Sequence, residues 1–414
     1  MEERAGHSAW GEGANTVSGL RAQRLAERRA ERRGAARRGA MAAAASLVAA
    51  VGTVAGMVSA LDGFEGGDVA RPRVTRSPGL LPLPAVPTAT SASASPGPSP
   101  SPSDSKTAKK KPQPAPRAST GRPVAPASTR LYRHTDSQVL DWVRANRSDP
   151  RRPLIESRIA DRPAAVWFAD FTPDTITSRV RAVTSTAARE GRVPVLVPYA
   201  IPERDCGGAS EGGAPDIAAY DSWAQKFAAG LGSGEVIVVL EPDALSQTEC
   251  LSGGQRSDRY AALARAGRAF KSANPRARVY YDAGHSDWNP AGTQAARLRA
   301  AGAASPASSD GVFTNVSNFN RTSAEVAYAR RVLAAMGGPP SLGAVIDTSR
   351  NGNGAPPNGA WCDPSGRKLG QAPTLRTGER GIDAYLWVKL PGESDGCKGE
   401  PGSFAPDYAY DLAD

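Results

Sequence analysis

From residue 129 onward the chain alternates short apolar runs with helical stretches. The runs are 165–168 (AVWF), 193–199 (VPVLVPY), 236–240 (VIVVL), 278–281 (RVYY), 311–316 (GVFTNV), 344–346 (AVI) and 384–388 (AYLWV). Amphipathic segments such as 217–229, 258–272 and 323–335 separate several of them. Apolar runs without polar alternation, divided by helices, indicate parallel strands covered on both faces. Seven such units fit a barrel better than an open sheet. The expected class is therefore α/β, a distorted TIM-like barrel of about seven parallel strands within 129–414.

The front end obeys a different pattern. Residues 39–61, GAMAAAASLVAAVGTVAGMVSAL, carry no charge and follow an arginine-rich stretch. Such a run is long enough to cross a bilayer, and arginines before it predict a basic cytoplasmic segment, 1–38, with the remainder outside. The rival reading is a signal peptide cleaved after Val58-Ser59-Ala60. Residues 62–128 hold runs such as SASASPGPSPSPSDS and KTAKKKPQPAPRAS. That composition cannot bury enough apolar surface to offset chain entropy, so a disordered tether is expected. The protein is expected outside the cell, either membrane-anchored with its N-terminus inside or secreted after cleavage.

Charge changes the picture only by its location. The formal net charge of the 414 residues is +10. The first 128 residues carry nine Arg in 1–39 and nine Lys or Arg in 63–128 against nine acids, about +9 of the total. The basic balance thus belongs to the front end, and no nucleic-acid partner is expected. Three histidines, His7, His134 and His285, are too few for a multi-histidine metal site. All four cysteines, Cys206, Cys250, Cys362 and Cys397, lie beyond the tether without C-x-x-C spacing, which favours two disulfides; spacing leaves all three pairings open.

Polar residues follow nearly every apolar run: Arg204 and Asp205, Glu241 and Asp243, Asp282 and His285, Asn318, Asp347, then Lys389, Glu393 and Asp395. In a parallel barrel these positions fall on the C-terminal rim, where barrel enzymes place their chemistry. Trp167, Tyr199, Trp288 and Trp361 stand in neighbouring stretches. Rings that stack on sugar faces, mixed with carboxylates and without a metal cluster, point to carbohydrate chemistry, although Trp167 inside a strand also fits core packing. Glycoside hydrolysis needs one protonated carboxylic acid, its pKa raised by burial or a neighbouring carboxylate, and usually a second carboxylate. Asp243, fixed at a strand end by Glu241-Pro242, suits the acid; Asp205 and Asp395 suit the negative neighbour and the base. Asp282 reads as a helix cap or loop acceptor, with a direct catalytic contribution as the alternative, and Asp347 as a structural residue paired with Arg350.

Two segments, VPYAIPERDCGG (197–208) and VIVVLEPDAL (236–245), closely resemble the signature segments of glycoside hydrolase family 6, the cellulases. YYDAGHSDW, NVSNF, VIDTSRNGNG, WCDPSGRKLG and WVKLPGESDGC resemble further family segments in the right order, over roughly 130–414. The resemblance implies a distorted seven-stranded barrel and hydrolysis of β-1,4-glucan or cello-oligosaccharides with inversion. It implies Asp243 as general acid, Asp205 as the residue that raises the acid's pKa, and Asp395 as the candidate base acting through water. Tyr199 matches a tyrosine that favours ring distortion. Trp167, His285, Trp288, Asn318, Trp361, Lys389 and Glu393 match sugar-binding positions, His285 as a hydroxyl ligand and not a base. It further implies the disulfides Cys206–Cys250 and Cys362–Cys397, no metal or organic cofactor, and a monomer. One departure is Ser210-Glu211-Gly212, where a charged side chain replaces a small one in a mobile loop.

The family's cellobiohydrolases roof their site with long loops, one of them before the tryptophan-cysteine segment. Here only 355–361 separate the RNGNG segment from Cys362, and the chain ends soon after Asp395. An open cleft and cutting of internal bonds are therefore expected, as in the bacterial endoglucanases. The alternatives are a cellobiohydrolase and a non-catalytic, wall-tethered glucan-binding factor.

Overall fold

The computed structural model describes residues 130–414; the segment expected at 39–61 and the tether at 62–128 lie outside the described residues. Among the described residues no helix is long and apolar enough to cross a membrane. Seven strands form one parallel sheet in sequential order: β1 (Val166–Phe168), β2 (Val195–Pro198), β3 (Val236–Leu240), β4 (Ala277–Asp282), β5 (Gly311–Thr314), β6 (Gly343–Asp347) and β7 (Ile382–Leu386). Helices α1 (Gln138–Ala145) and α2 (Arg152–Ile155) precede β1. Helices α3 (Ile176–Arg189), α4 (Ile217–Ala229), α5 (Gly253–Ala273), α6 (Ala291–Ala300) and α7 (Thr322–Met336) each link two successive strands. β6 and β7 are joined by the loop 348–381, and α8 (Pro406–Ala413) ends the chain.

The strands have no polar face because each face meets a different core. Val195, Val197, Ile237, Val239, Phe313, Val345 and Leu386 fill the interior of the curled sheet. Leu196, Val238, Val279, Val312 and Ile346 point outward against Trp223, Phe227, Phe270 and Leu298 of the helical layer. Each fully buried side chain of this kind contributes about 1.5–3 kcal/mol, so the two cores together favour this layering. Helix α4 is capped by Asp216, and α5 begins with a reciprocal Ser252–Gln255 capping box, which sets where each helix leaves the rim. Gly311 allows β5 and β6 to meet: a Cβ there would lie 1.8 Å from Gly343 O, at φ +144°.

β1 and β7 are the edges of the sheet. The Ala165 N–H donates to Trp387 O across the gap at 2.9 Å, and Trp167 Nε1 donates to Val388 O at 2.7 Å. The sheet is thus curled almost to closure, with a seam between β1 and β7. The expected seven-stranded parallel architecture is the one found, and every strand lies within two residues of its apolar run.

Candidate active site

Eight non-glycine residues have positive φ among the described residues: Glu203, Asp205, Cys206, Glu241, Asp243, Asn315, Ser317 and Asp363. Most follow the carboxyl ends of β2, β3 and β5. Left-handed backbone costs an ordinary residue about 1–3 kcal/mol and persists only where the surroundings enforce it, often at functional sites. Both Asp205 and Asp243 are held this way.

Asp243 stands half-buried after β3, and among the described residues no protein group donates to its carboxyl. Burial pushes its pKa well above the usual carboxylate range, and the carboxylates of Asp282 and Asp205 push it further. Asp282, at the end of β4, is buried and accepts the N–H groups of Leu245, Ser246 and Gly284 at 3.1, 2.8 and 2.8 Å. It is therefore a loop acceptor that pins the turn following Asp243, and its charge reaches Asp243 as well. Glu241 accepts the N–H groups of Ala200 and Ile201 at about 3.0 Å, tying the end of β3 to the end of β2.

Asp205 does not pair with the adjacent Arg204. Its Oδ2 accepts from the Ser210 N–H at 2.8 Å and from Ser210 Oγ at 3.0 Å. Ser210 Oγ also lies 3.0 Å from the Tyr199 hydroxyl, so one serine joins Tyr199 to Asp205. The Arg204 guanidinium covers the Tyr199 ring at 4.3 Å and donates to Ala169 O, Tyr199 O, Ser210 O and Glu211 O. Those four carbonyls fold 204–212 back over the ends of β1 and β2. Glu211 points to solvent and takes part here through its backbone, accepting from Arg204 at its carbonyl and donating its N–H to Gly208 O at 3.1 Å, so the charged side chain leaves this arrangement in place. The Cys206–Cys250 disulfide, Cα–Cα 5.6 Å, fastens the same loop to the one following Asp243.

Asp395 forms a second centre. Its Oδ2 accepts from Arg350 at 2.7 Å and from the Asp363 N–H at 3.1 Å, while Lys389 Nζ lies 3.3 Å from Oδ1. Arg350 is fully buried, with Tyr408 Oη at 3.3 Å, the Phe319 ring at 4.5 Å and Ser317 O as further partners. This corrects the pairing of Asp347 with Arg350: Asp347 accepts four backbone N–H groups, from Ser317, Ser349, Val388 and Lys389. Those donors already satisfy Asp347, which frees Arg350 for the carboxylate on the neighbouring loop. Asp363 returns the Asp395 contact by accepting from its N–H at 2.7 Å and from those of Cys397 and Lys398. Burial raises the Asp363 pKa, but these donors and Ser394 Oγ outweigh it and leave it below the ordinary value. The Cys362–Cys397 disulfide, Cα–Cα 5.8 Å, closes this loop pair.

Of the expected sugar ligands, Trp167 packs edge-on to Tyr199 with ring centroids 5.2 Å apart, and is only half-buried. It is thus a seam residue with part of its ring left open to solvent. His285 lies 5.4 Å from Trp288. Asn320 Nδ2 and the Asp287 N–H face His285 Nδ1 at 3.1 and 3.3 Å, so the ring proton sits on Nε2. Burial lowers the His285 pKa, which keeps the ring neutral and suits it to a hydroxyl. Asn318 donates to Val316 O at 3.0 Å. Glu393 accepts from Gln138 at 3.0 Å; burial pushes it up to about 7, opposed by Lys389. Trp361 stands apart, 59% exposed and without a ring partner.

Ser210, Arg350 and Asp363 complete these two centres; the sequence marked Ser210 only as part of the loop 210–212 and gave Arg350 and Asp363 no role in the site. Only the position of Asp363 beside Cys362 hinted at it. Gln138 had no signal at all, since it reaches Glu393 across 255 residues of chain. Among the described residues no group of three or more His, Cys, Asp or Glu is arranged to hold a metal ion. What the rim offers is a carboxyl whose pKa is raised by burial and by two neighbouring carboxylates, on loops that also carry His285 and Trp288.

A family model described as glycosyl hydrolases family 6 matches residues 127–409. Endoglucanase 1 of Streptomyces sp. (strain KSM-9) is 52% identical over 297 residues, covering 72% of this chain and 81% of the relative. Endoglucanase A of Thermobispora bispora is 48% identical over 297 residues, and the match spans 72% of this chain but 64% of that protein's length. Among solved structures, the endoglucanase Cel6 of Mycobacterium tuberculosis, in complex with methyl-cellobiosyl-4-deoxy-4-thio-β-D-cellobioside, superposes with a TM-score of 0.64. It is 38% identical, and the match covers 69% of this chain and 97% of that one.

Proposed function

The chain belongs to glycosyl hydrolase family 6, and from that premise we propose that it hydrolyses internal β-1,4-glucosidic bonds of cellulose or related β-glucans with inversion. The observation that carries the reading is Asp243: an unpaired carboxyl at a strained strand end, its pKa raised by burial and by two carboxylate neighbours. Such a group stays protonated near neutrality and can protonate a departing glycosidic oxygen. Asp205 keeps Asp243 protonated and, through Ser210 and Tyr199, orders the region the attacking water occupies. Asp395, oriented by Arg350 and Lys389, receives the water's proton through a water chain. Trp167, His285, Trp288, Asn318, Trp361, Lys389 and Glu393 bind glucosyl units along the cleft.

Internal cutting is supported by the short 355–361 connection and by the endoglucanases among the similar proteins. The two disulfides support a place outside the reducing cytoplasm. On carboxymethyl cellulose, viscosity falls steeply while few reducing ends appear. Reducing ends that accumulate with viscosity nearly constant would favour the cellobiohydrolase reading.

A further inference from the structure

A cavity of about 740 Å³ runs along the seam between β1 and β7. That volume lies within the ~300–1,000 Å³ usual for sites that enclose small organic ligands. Its walls come from β1 and the segment 159–165 before it, from the chain 133–139 leading into α1, from α3, and from the segment after β7. Asp243 and Asp205 do not line it; they follow β3 and β2, whereas the cavity occupies the outer flank of β1. Trp167 and Glu393, which match sugar-binding positions, do line it. The cavity therefore lies beside those positions, at the β1 edge of the sheet.

Resting on the reading above, we propose that this seam cavity is an additional glucan-binding region, taking glucosyl units that extend beyond Trp167 on the side away from Asp243. Three features fit a neutral polyhydroxylated chain. The lining charges balance, with Arg133, Arg162 and Arg179 facing Asp136, Asp170 and Glu393, which suits neither an anion nor a cation. His134 Nδ1 is buried without a hydrogen-bond partner, an open position for a hydroxyl. Trp167 and Phe404 supply ring surface of the kind sugar faces stack on. Gln138 holds the mouth in shape, since it donates to Glu393 at 3.0 Å and to Gly402 O at 2.7 Å and accepts from the Phe404 N–H at 3.1 Å.

The test compares kcat/KM for cellotetraose and cellohexaose in the full chain, as wild type, Ser137→Trp and Ser137→Ala. Ser137 lines the cavity, is half-buried and has no side-chain capping bond, so an indole there fills the space and alanine does not. The wild type is expected to gain about tenfold or more from tetraose to hexaose, because remote binding energy raises kcat/KM. Ser137→Trp should lose most of that gain and shift the bonds cut in cellohexaose, while its cellotetraose rate and that of Ser137→Ala stay within about twofold of wild type. A wild type without the gain, or a gain that survives in Ser137→Trp, overturns the proposal. Should the wild type cleave neither oligosaccharide nor polymer, the glucanase reading itself fails.

Discussion

Asp243→Asn is expected to lower kcat on barley β-glucan by about a thousandfold, in the middle of the 10²–10⁴ range that general acid catalysis supplies. Asparagine keeps the size of the side chain, and the Asp243 carboxyl has no protein hydrogen bond to lose, so the fold should be undisturbed. What disappears is the proton for the leaving oxygen. A substrate whose leaving group needs no proton makes the distinction: with 2,4-dinitrophenyl cellobioside the variant should stay within about tenfold of wild type. The pH profile follows the same logic. As the proposed general acid Asp243 acts in its protonated form, and burial together with Asp282 and Asp205 raises its pKa. Wild-type activity therefore persists to higher pH than an ordinary carboxylic acid would permit and is lost as pH rises through the raised pKa. That basic limb should be missing from the residual activity of Asp243→Asn. Equal losses on the polymer and the activated substrate would show that Asp243 is not the acid.

Arg350→Met should destabilise the protein by about 3–5 kcal/mol, the usual result of removing one partner from a buried ion pair. Arg350 is completely buried, and Asp395, with 9% side-chain exposure, would keep only Lys389 as a cationic partner. At about 2–4 °C per kcal/mol for a chain of this size, the melting temperature should fall by roughly 6–20 °C. Activity should fall at least tenfold as well, measured at a temperature where the variant is folded, because Asp395 loses the contact that orients it. Arg350→Lys should recover part of the stability but not the orientation, since an ammonium does not span Asp395 and Ser317 O together. A melting temperature within 2 °C of wild type would contradict the pairing.

The parts of the molecule legible in the sequence are those set by local pattern. Doubly buried strands write themselves as unbroken apolar runs, and α4 coincides with its predicted span, Ile217–Ala229. Asp243 was legible because a strand end and a proline fix it. Ring and carboxylate positions at the rim followed from the parallel topology. Long-range polar pairing was not legible. Asp347 and Arg350 are three residues apart and opposite in charge, so a local pair was the natural reading. Instead, four backbone donors converge on Asp347 and Arg350 crosses to Asp395, 45 residues on. Adjacency is equally uninformative at Arg204 and Asp205, where the Asp205 carboxyl, on a left-handed backbone, accepts from Ser210 instead. Gln138 shows the limit most plainly: its three partners lie at 393, 402 and 404, and nothing near it in the chain announces them.

The configuration of the first product decides between single and double displacement. Hydrolysis of cellotetraose followed by ¹H NMR in the first minutes, before mutarotation, should show the α-anomer appearing ahead of the β-anomer. That is the result of single displacement by water, with Asp243 as acid and no covalent intermediate. A β-anomer appearing first would mean double displacement through a carboxylate nucleophile, and the roles given to Asp205 and Asp395 would have to be abandoned.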